Sequence, residues 1–297
     1  MQKKIRNQIF QKKSTLKIKF NISTLNWFRI TSYISYLFIP KNLNDLIYFC
    51  QKKPKKFKIK ILGNGSNILL KNQNKYTVFI KLGNNFKKLL YIKNNIIQTG
   101  AATFDTFIAQ FSAQNSISGM EFLATIPGSI GGAIIMNAGA NNCKTCNILL
   151  SAQAINVYNG KIKTFLNKDF DFIYRGNNIN KNWLFISTRL QGQKRNKKII
   201  MNNIKYVNNY RYKNQPIGLK TCGSTFKNMY GLKAWKLISF CNLRGFKLGG
   251  AKFSNHHCNF IINSNGSFND IKTLIKTAKK KIKKKYGVNL EIEIQII

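Results

Sequence analysis

The chain has 297 residues, 44% of them hydrophobic, and carries 50 Lys and Arg against 8 Asp and Glu for a formal net charge of +42. That is enough chain for two domains and enough apolar surface for globular cores. No apolar run reaches the roughly 18 residues of a membrane-spanning helix, so none is expected.

In chain order, residues 1–20 read as a basic arm or short helix, without the continuous apolar core of a secretory signal. Tyr33–Ile39 reads as a strand ended by Pro40, and Asn42 caps a helix that turns Leu43, Leu46, Ile47 and Cys50 to one face. Phe57–Leu62 alternates apolar and basic residues, the pattern of a half-buried strand. Directly after it comes Gly63-Asn64-Gly65-Ser66-Asn67, a tight turn that could cradle a phosphate. It leads into a strand, Ile68–Leu70, and lacks the dinucleotide fingerprint, which disfavours a Rossmann site. Short strands are expected at Tyr76–Leu82, Lys87–Ile92 and Asn95–Thr99. A helix is expected over Gly100–Ser116 with Phe104, Phe107, Ile108 and Phe111 inward.

The stretch Gly119–Ala140, GMEFLATIPGSIGGAIIMNAGA, is charged only at Glu121 and rich in glycine and alanine. Such a stretch either packs tightly or lets backbone N–H groups approach an anionic ligand. Asn159-Gly160 turns a hairpin between Ser151–Tyr158 and Lys161–Phe165. Trp183–Leu190 is a further strand. Beyond Gly192 the pattern gives a basic helix over Asn196–Tyr212, a loop over Gln215–Asn228 and a short helix over Ala234–Phe240. Glycine-broken strands follow within Leu243–Asn263. Ser267 caps a helix running to Tyr286, and Asn289–Ile297 closes the chain as a strand.

The chemistry-bearing residues are few. The acids are Glu121, Glu291, Glu293, Asp45, Asp105, Asp169, Asp171 and Asp270, and the histidines are His256 and His257. The six cysteines suggest no disulfide framework, hence a reducing compartment. Cys143-Lys-Thr-Cys146 has no second pair, so no metal site is expected. The basic residues are spread along the chain and only seven are Arg. No nucleic-acid-binding signature is present. The charge reads as a solvated surface that would bind polyanions without sequence preference, rather than as a nucleic-acid-binding function.

Together these motifs resemble the UDP-N-acetylenolpyruvoylglucosamine reductase (MurB) family, in its shorter type without the extra substrate-capping loop. The resemblance runs from Trp27 to the C-terminus: WFR at Trp27–Arg29, GNGSN, EFLATIPGSIGGAIIMNAGA, Tyr174-Arg175, GSTFKN at Gly223–Asn228, GGAKFSNHHCNFIIN at Gly249–Asn263 and GVNLEIEI at Gly287–Ile294. It implies an α+β fold. An FAD-binding region of the vanillyl-alcohol-oxidase type with two subdomains, residues 21–191, would be followed by a smaller α+β substrate domain, residues 192–297. It implies that NADPH reduces a bound FAD, which in turn reduces UDP-N-acetylglucosamine enolpyruvate to UDP-N-acetylmuramate in the bacterial cytoplasm. The protein would be a monomer with no membrane or specific nucleic-acid partner.

By the same resemblance Gly63, Asn64, Gly65, Ser66, Asn67, Pro127, Gly128, Ser129, Gly131, Gly132, Asn137 and Ala138 contact FAD. Tyr174, Lys227 and Asn228 contact substrate. Arg175 is the catalytic arginine that stabilises the developing enolate, and Ser224 is the proton donor. Glu293 is the catalytic glutamate that helps polarise the substrate carboxyl group; alternation alone puts Glu291 on the same face and does not choose between them. The chain departs from the family pattern at Thr31-Ser32, where a Gly-Gly pair is usual, and at Asn177, where serine is usual. A different flavoprotein of this fold is the first rival reading; retention of Arg175, Ser224 and Glu293 together argues against it. A flavin-free basic nucleic-acid binder is the second, and the glycine-rich loops argue against that.

Overall fold

The computed structural model describes residues 14–73, 75–229 and 231–297, which fall into two compact units. The first is drawn from residues 14–20, 34–64 and 75–209, the second from 21–33, 65–73 and 210–297.

Two larger sheets build the first unit. One is four-stranded, in the order Thr15–Asn21, Tyr33–Ile39, Thr77–Ile80, Lys58–Ile61. Thr77–Ile80 runs parallel to both neighbours and is buried at every position, as expected of a central parallel strand with both faces covered. Helix α1, Leu43–Lys52, packs on this sheet, with Phe49 stacked on Phe38 at 4.4 Å. Asn42 caps it by accepting the Asp45 N–H at 2.9 Å. The expected basic arm lies outside the described residues as far as residue 13. Beyond that it is a strand rather than an arm: Thr15–Asn21 alternates so that Lys17 and Lys19 face outward from the sheet edge.

The second sheet is antiparallel, in the order Ile162–Leu166, Leu149–Asn156, Trp183–Gln191, Ile96–Gly100, Leu89–Tyr91. Helix α2 spans Asp105–Gln114, shorter than expected because Gly100 belongs to a strand. Starting the helix at Asp105 turns Ile108, Ala109, Ser112 and Ala113 inward at i, i+3, i+4 spacing and leaves Phe107 54% exposed, contrary to its expected place in the core. Helix α3, Ile130–Ile135, is a single short turn-and-a-half inside the glycine-rich stretch.

The sequence places a boundary at Gly192, yet the first unit continues to Asn209. Gln193–Lys194 pairs with Ile117–Ser118, and helix α4, Lys197–Asn214, buries Ile200, Ile204 and Val207 in the first core.

In the second unit, helix α5 (Ala234–Phe240) and helix α6 (Phe268–Tyr286) share a core with an antiparallel sheet of Lys247–Leu248, Ala251–Phe253 and Ile261–Asn263. Phe28, Ile30 and Leu69 join that core from the early part of the chain. Ser267 and Asp270 form a capping box at the start of α6, and Gly287, at φ 70°, ends it. The expected terminal strand shrinks to Gln295–Ile296, paired in parallel with Ile68–Leu69. Before it, Ile292 makes a single bridge to Phe226.

Candidate active site

In the first unit the two glycine-rich loops meet. Asn64 Nδ2 donates to the Gly128 carbonyl at 2.9 Å, and Lys81 Nζ donates to the Gly63 carbonyl at 2.7 Å. Ser129 bridges Phe104, and Asp105 N–H reaches the Gly128 carbonyl at 3.3 Å. The sequence suggests free N–H groups along this loop. Two of them are occupied: Ile130 N–H bonds to Thr103 O and Gly131 N–H to Ala101 O, both at 3.0 Å. Gly131 is required by contact, since a Cβ there would lie 3.0 Å from the Ala101 carbonyl oxygen.

Gly63 and Gly132 are exposed on either side of Ser129, which is itself 4% exposed. A Cβ built on Gly63 would lie 3.3 Å from the Ser129 hydroxyl, and one built on Gly132 would lie 3.7 Å from it with no other neighbour. Two side-chain-less positions thus flank a hydroxyl donor. This fits a ligand diphosphate, which needs close backbone approach and a neutral donor. Asn137, by contrast, is 3% exposed and has both ends of its amide engaged, donating to Ile173 O at 3.1 Å and accepting Cys146 N–H at 3.1 Å.

That amide is one of two brackets on the turn that carries Arg175. Ile173 N–H bonds to Gly176 O at 3.1 Å, closing the turn, and Arg175 sits at φ 61°. A non-glycine residue in the left-handed region costs energy and persists only where its surroundings enforce it. The second bracket is Asn177, whose Nδ2 donates to Ile134 O at 2.8 Å and Ile135 O at 3.2 Å, the carbonyls at the end of α3. The departure from serine therefore supplies an amide long enough to hold the turn to that helix. Arg175 Nη2 donates to Gly139 O at 3.1 Å, and its guanidinium carbon lies 5.2 Å from the ring centroid of the 43%-exposed Tyr174.

In the second unit Gly65, at φ 69°, lies so close to the Leu25 carbonyl that a Cβ would fall 1.9 Å from its oxygen. Trp27 N–H donates to Gly65 O at 3.1 Å, and the buried Cys222 thiol, pushed up to about 12 by burial, donates to Ile68 O at 3.3 Å. Asn67 Nδ2 reaches Glu293 O at 3.2 Å, and Gln295 N–H reaches Asn67 O at 3.0 Å. At Thr31-Ser32 the chain accommodates its extra hydroxyls: Ser32 is 2% exposed, 3.4 Å from Asn72 Oδ1.

The GSTFKN segment lies between two others. Ser224 bridges Phe260, and Thr225 N–H donates to Asn259 O at 2.7 Å. On the far side Glu293 N–H donates to Thr225 O and Lys227 N–H to Glu291 O, both at 2.9 Å. Ser224 and Glu293 are thereby brought onto neighbouring extended segments. Their environments separate the two glutamates: Glu291 is exposed and pairs with Lys227 Nζ at 3.2 Å, whereas Glu293 is half-buried. Asn228 Oδ1 accepts the Ala234 N–H at 3.0 Å at the start of α5.

Three residues matter here that the sequence did not single out. Asn259, 2% exposed, clamps Phe226 from both ends, accepting its N–H at 3.0 Å and donating to its carbonyl at 2.9 Å. Lys81 is one lysine among many, and burial with Lys87 nearby brings it down to about 8. Asp105 is wholly buried with neither carboxyl oxygen bonded, which holds it well above the usual carboxylate range. His257 is packed on Phe260 at 4.8 Å and pushed below the usual imidazole range by burial.

Residues 34–165 match the model of the FAD binding domain, and residues 215–297 match that of the UDP-N-acetylenolpyruvoylglucosamine reductase, C-terminal domain. The UDP-N-acetylenolpyruvoylglucosamine reductase of Pelagibacter ubique (strain HTCC1062) is 40% identical over 99% of this chain and 98% of its own. That of Orientia tsutsugamushi (strain Ikeda) is 39% identical over 94% and 93%. The crystal structure of the reductase from Thermus caldophilus superposes with a TM-score of 0.81 over 96% of this chain and 98% of that one, at 24% identity.

Proposed function

The chain belongs to the UDP-N-acetylenolpyruvoylglucosamine reductase family, FAD-dependent enzymes of peptidoglycan precursor synthesis, and from that premise we propose that Arg175, Ser224 and Glu293 perform its reduction. The substrate is UDP-N-acetylglucosamine enolpyruvate and the reductant NADPH. The reaction would run in the bacterial cytoplasm, as the family implies.

FAD, when bound, carries the hydride from NADPH to the enolpyruvyl group. Gly63, Asn64, Ser129 and Gly132 would hold its diphosphate. The other tasks fall to side chains. Hydride arrival at the terminal carbon leaves negative charge on the carbon beside the carboxylate, delocalised into that carboxylate. Arg175 meets this charge with a guanidinium that stays ionised and can make two parallel hydrogen bonds to a carboxylate. Its turn, tied to neighbouring backbone by Asn137 and Asn177, is the observation that carries the reading, because a group that meets developing charge must be held in place. Ser224 gives the proton to the carbon. Glu293 polarises the substrate carboxyl group where the charge collects. Glu291, exposed and paired with Lys227, is the outer acid of the two.

The test is the flavin spectrum under anaerobic conditions. NADPH should bleach the visible band, and the enolpyruvyl substrate should restore it. In Ser224→Ala the band should still bleach, while its return should slow by roughly a hundredfold or more, the usual worth of a positioned proton donor. A variant that reoxidised at the wild-type rate would remove Ser224 from this role.

A further inference from the structure

Lys81 has no role in the chemistry above, yet its setting is unusual. It follows the central strand Thr77–Ile80 and is half-buried, and its ammonium donates to the Gly63 carbonyl at 2.7 Å. It makes no ion pair among the described residues. The charged residues on the surrounding elements are Lys41 beyond Tyr33–Ile39, Asp45 and Lys52 on α1, Lys58 and Lys60 on Lys58–Ile61, Lys87 beyond Asn84–Phe86 and Asp105 at the start of α2. Asp45 is taken up by the Ser14 hydroxyl at 2.6 Å and the Lys41 N–H at 2.8 Å. Lys87 acts on it unfavourably. Asp105 is driven toward its neutral form by burial and offers no compensating charge. A cation is therefore held by a neutral carbonyl, without a carboxylate, at the loop whose Gly63 lies against Ser129. An isolated, partly desolvated ammonium is costly unless something anionic meets it.

We propose that Lys81 is the counter-ion of the FAD diphosphate, anchored by Gly63 so that its charge faces the phosphates held between the two glycine-rich loops. The proposal rests on the placement of the diphosphate at those loops. Its consequence is linkage. A dianion beside Lys81 favours the ammonium form, so binding draws a proton onto the lysine wherever the free protein has lost it. With Lys81 near about 8 in the free protein, against an ordinary 10.5, FAD affinity should fall as pH rises through 8. The fall should be about tenfold between pH 7 and pH 9.

The experiment is titration of FAD into the apoprotein at pH 7 and pH 9, followed by flavin fluorescence, with each variant's fold checked by circular dichroism. Wild type should bind about tenfold more weakly at pH 9. Lys81→Arg, which cannot lose its charge in this range, should bind tightly at both pH values. Lys81→Gln should bind at least about tenfold more weakly than wild type at pH 7 and show no further loss at pH 9. Wild-type affinity and wild-type slope in Lys81→Gln would overturn the assignment. Gly132→Val separates this from the underlying placement, because its side chain enters open space beside Ser129. If that variant keeps wild-type FAD affinity, the loop placement itself fails. If it loses FAD while Lys81→Gln does not, only the lysine is wrongly assigned.

Discussion

Replacing Asn259 by Ala should both destabilise the protein and loosen the Ser224 segment. Asn259 is 2% exposed and Phe226 is wholly buried. The substitution removes the acceptor of the Phe226 N–H at 3.0 Å and the donor to the Phe226 carbonyl at 2.9 Å. Each buried backbone group left without a partner costs about 1–3 kcal/mol. The two together should cost about 2–4 kcal/mol, the lower half of that sum, since a water can enter the space the amide leaves. Urea unfolding measures the global loss, and hydrogen exchange at the Phe226 amide measures the local one. Asn259→Asp keeps the acceptor and loses the donor, so the Phe226 amide should exchange more slowly in that variant than in Asn259→Ala. A loss below about 1 kcal/mol in Asn259→Ala, with unchanged Phe226 exchange, would refute the clamp.

Glu293→Gln should lower kcat by roughly a hundredfold or more, because it removes the carboxyl group that polarises the substrate where charge develops. Glu291→Gln should leave steady-state rates within about twofold and stability within about 1 kcal/mol, as expected for an exposed pair with Lys227; the reverse ranking would exchange the two assignments. The capping box of α6 gives a pH prediction. Asp270 is held below its ordinary 3.8, chiefly by the Ser267 N–H, so the stability it confers is present above pH 3.8 and lost as pH falls through the lower folded value. Asp270→Asn should remove that acid-limb dependence of the urea midpoint, and an unchanged acid limb would count against the box.

Local punctuation was readable from the chain. Asn42 and Ser267 cap helices because their side chains reach an N–H three residues on, a contact written within four letters of sequence. The hairpin turn at Asn159-Gly160 is equally local, with Gly160 at φ 75°. Phe107 was misplaced because the inward face of α2 depends on where the helix begins, and that was set by Gly100 joining a strand. The terminal strand was overextended because apolar alternation marks extended chain, whereas a ladder needs a partner, and Ile68–Leu69 offers only two residues. At the candidate site, glycines and motif residues carried the reading. The brackets did not, because Asn137, Asn177, Asn259 and Lys81 draw their meaning from partners 36, 43, 33 and 18 residues away. Nothing in a lone asparagine or lysine announces such a partner.

The second unit is stitched from three separated stretches, with Phe28, Ile30 and Leu69 completing a core that residues 210–297 otherwise supply. A piece cut from residue 210 onward would leave sockets for three missing side chains and a Gln295–Ile296 strand with nothing to pair. It would behave as a sticky fragment, not as a portable part. Recombination that shuffles contiguous pieces of genes could not move this unit into another protein. The two units are bound to be inherited, engineered and swapped between relatives as a single piece.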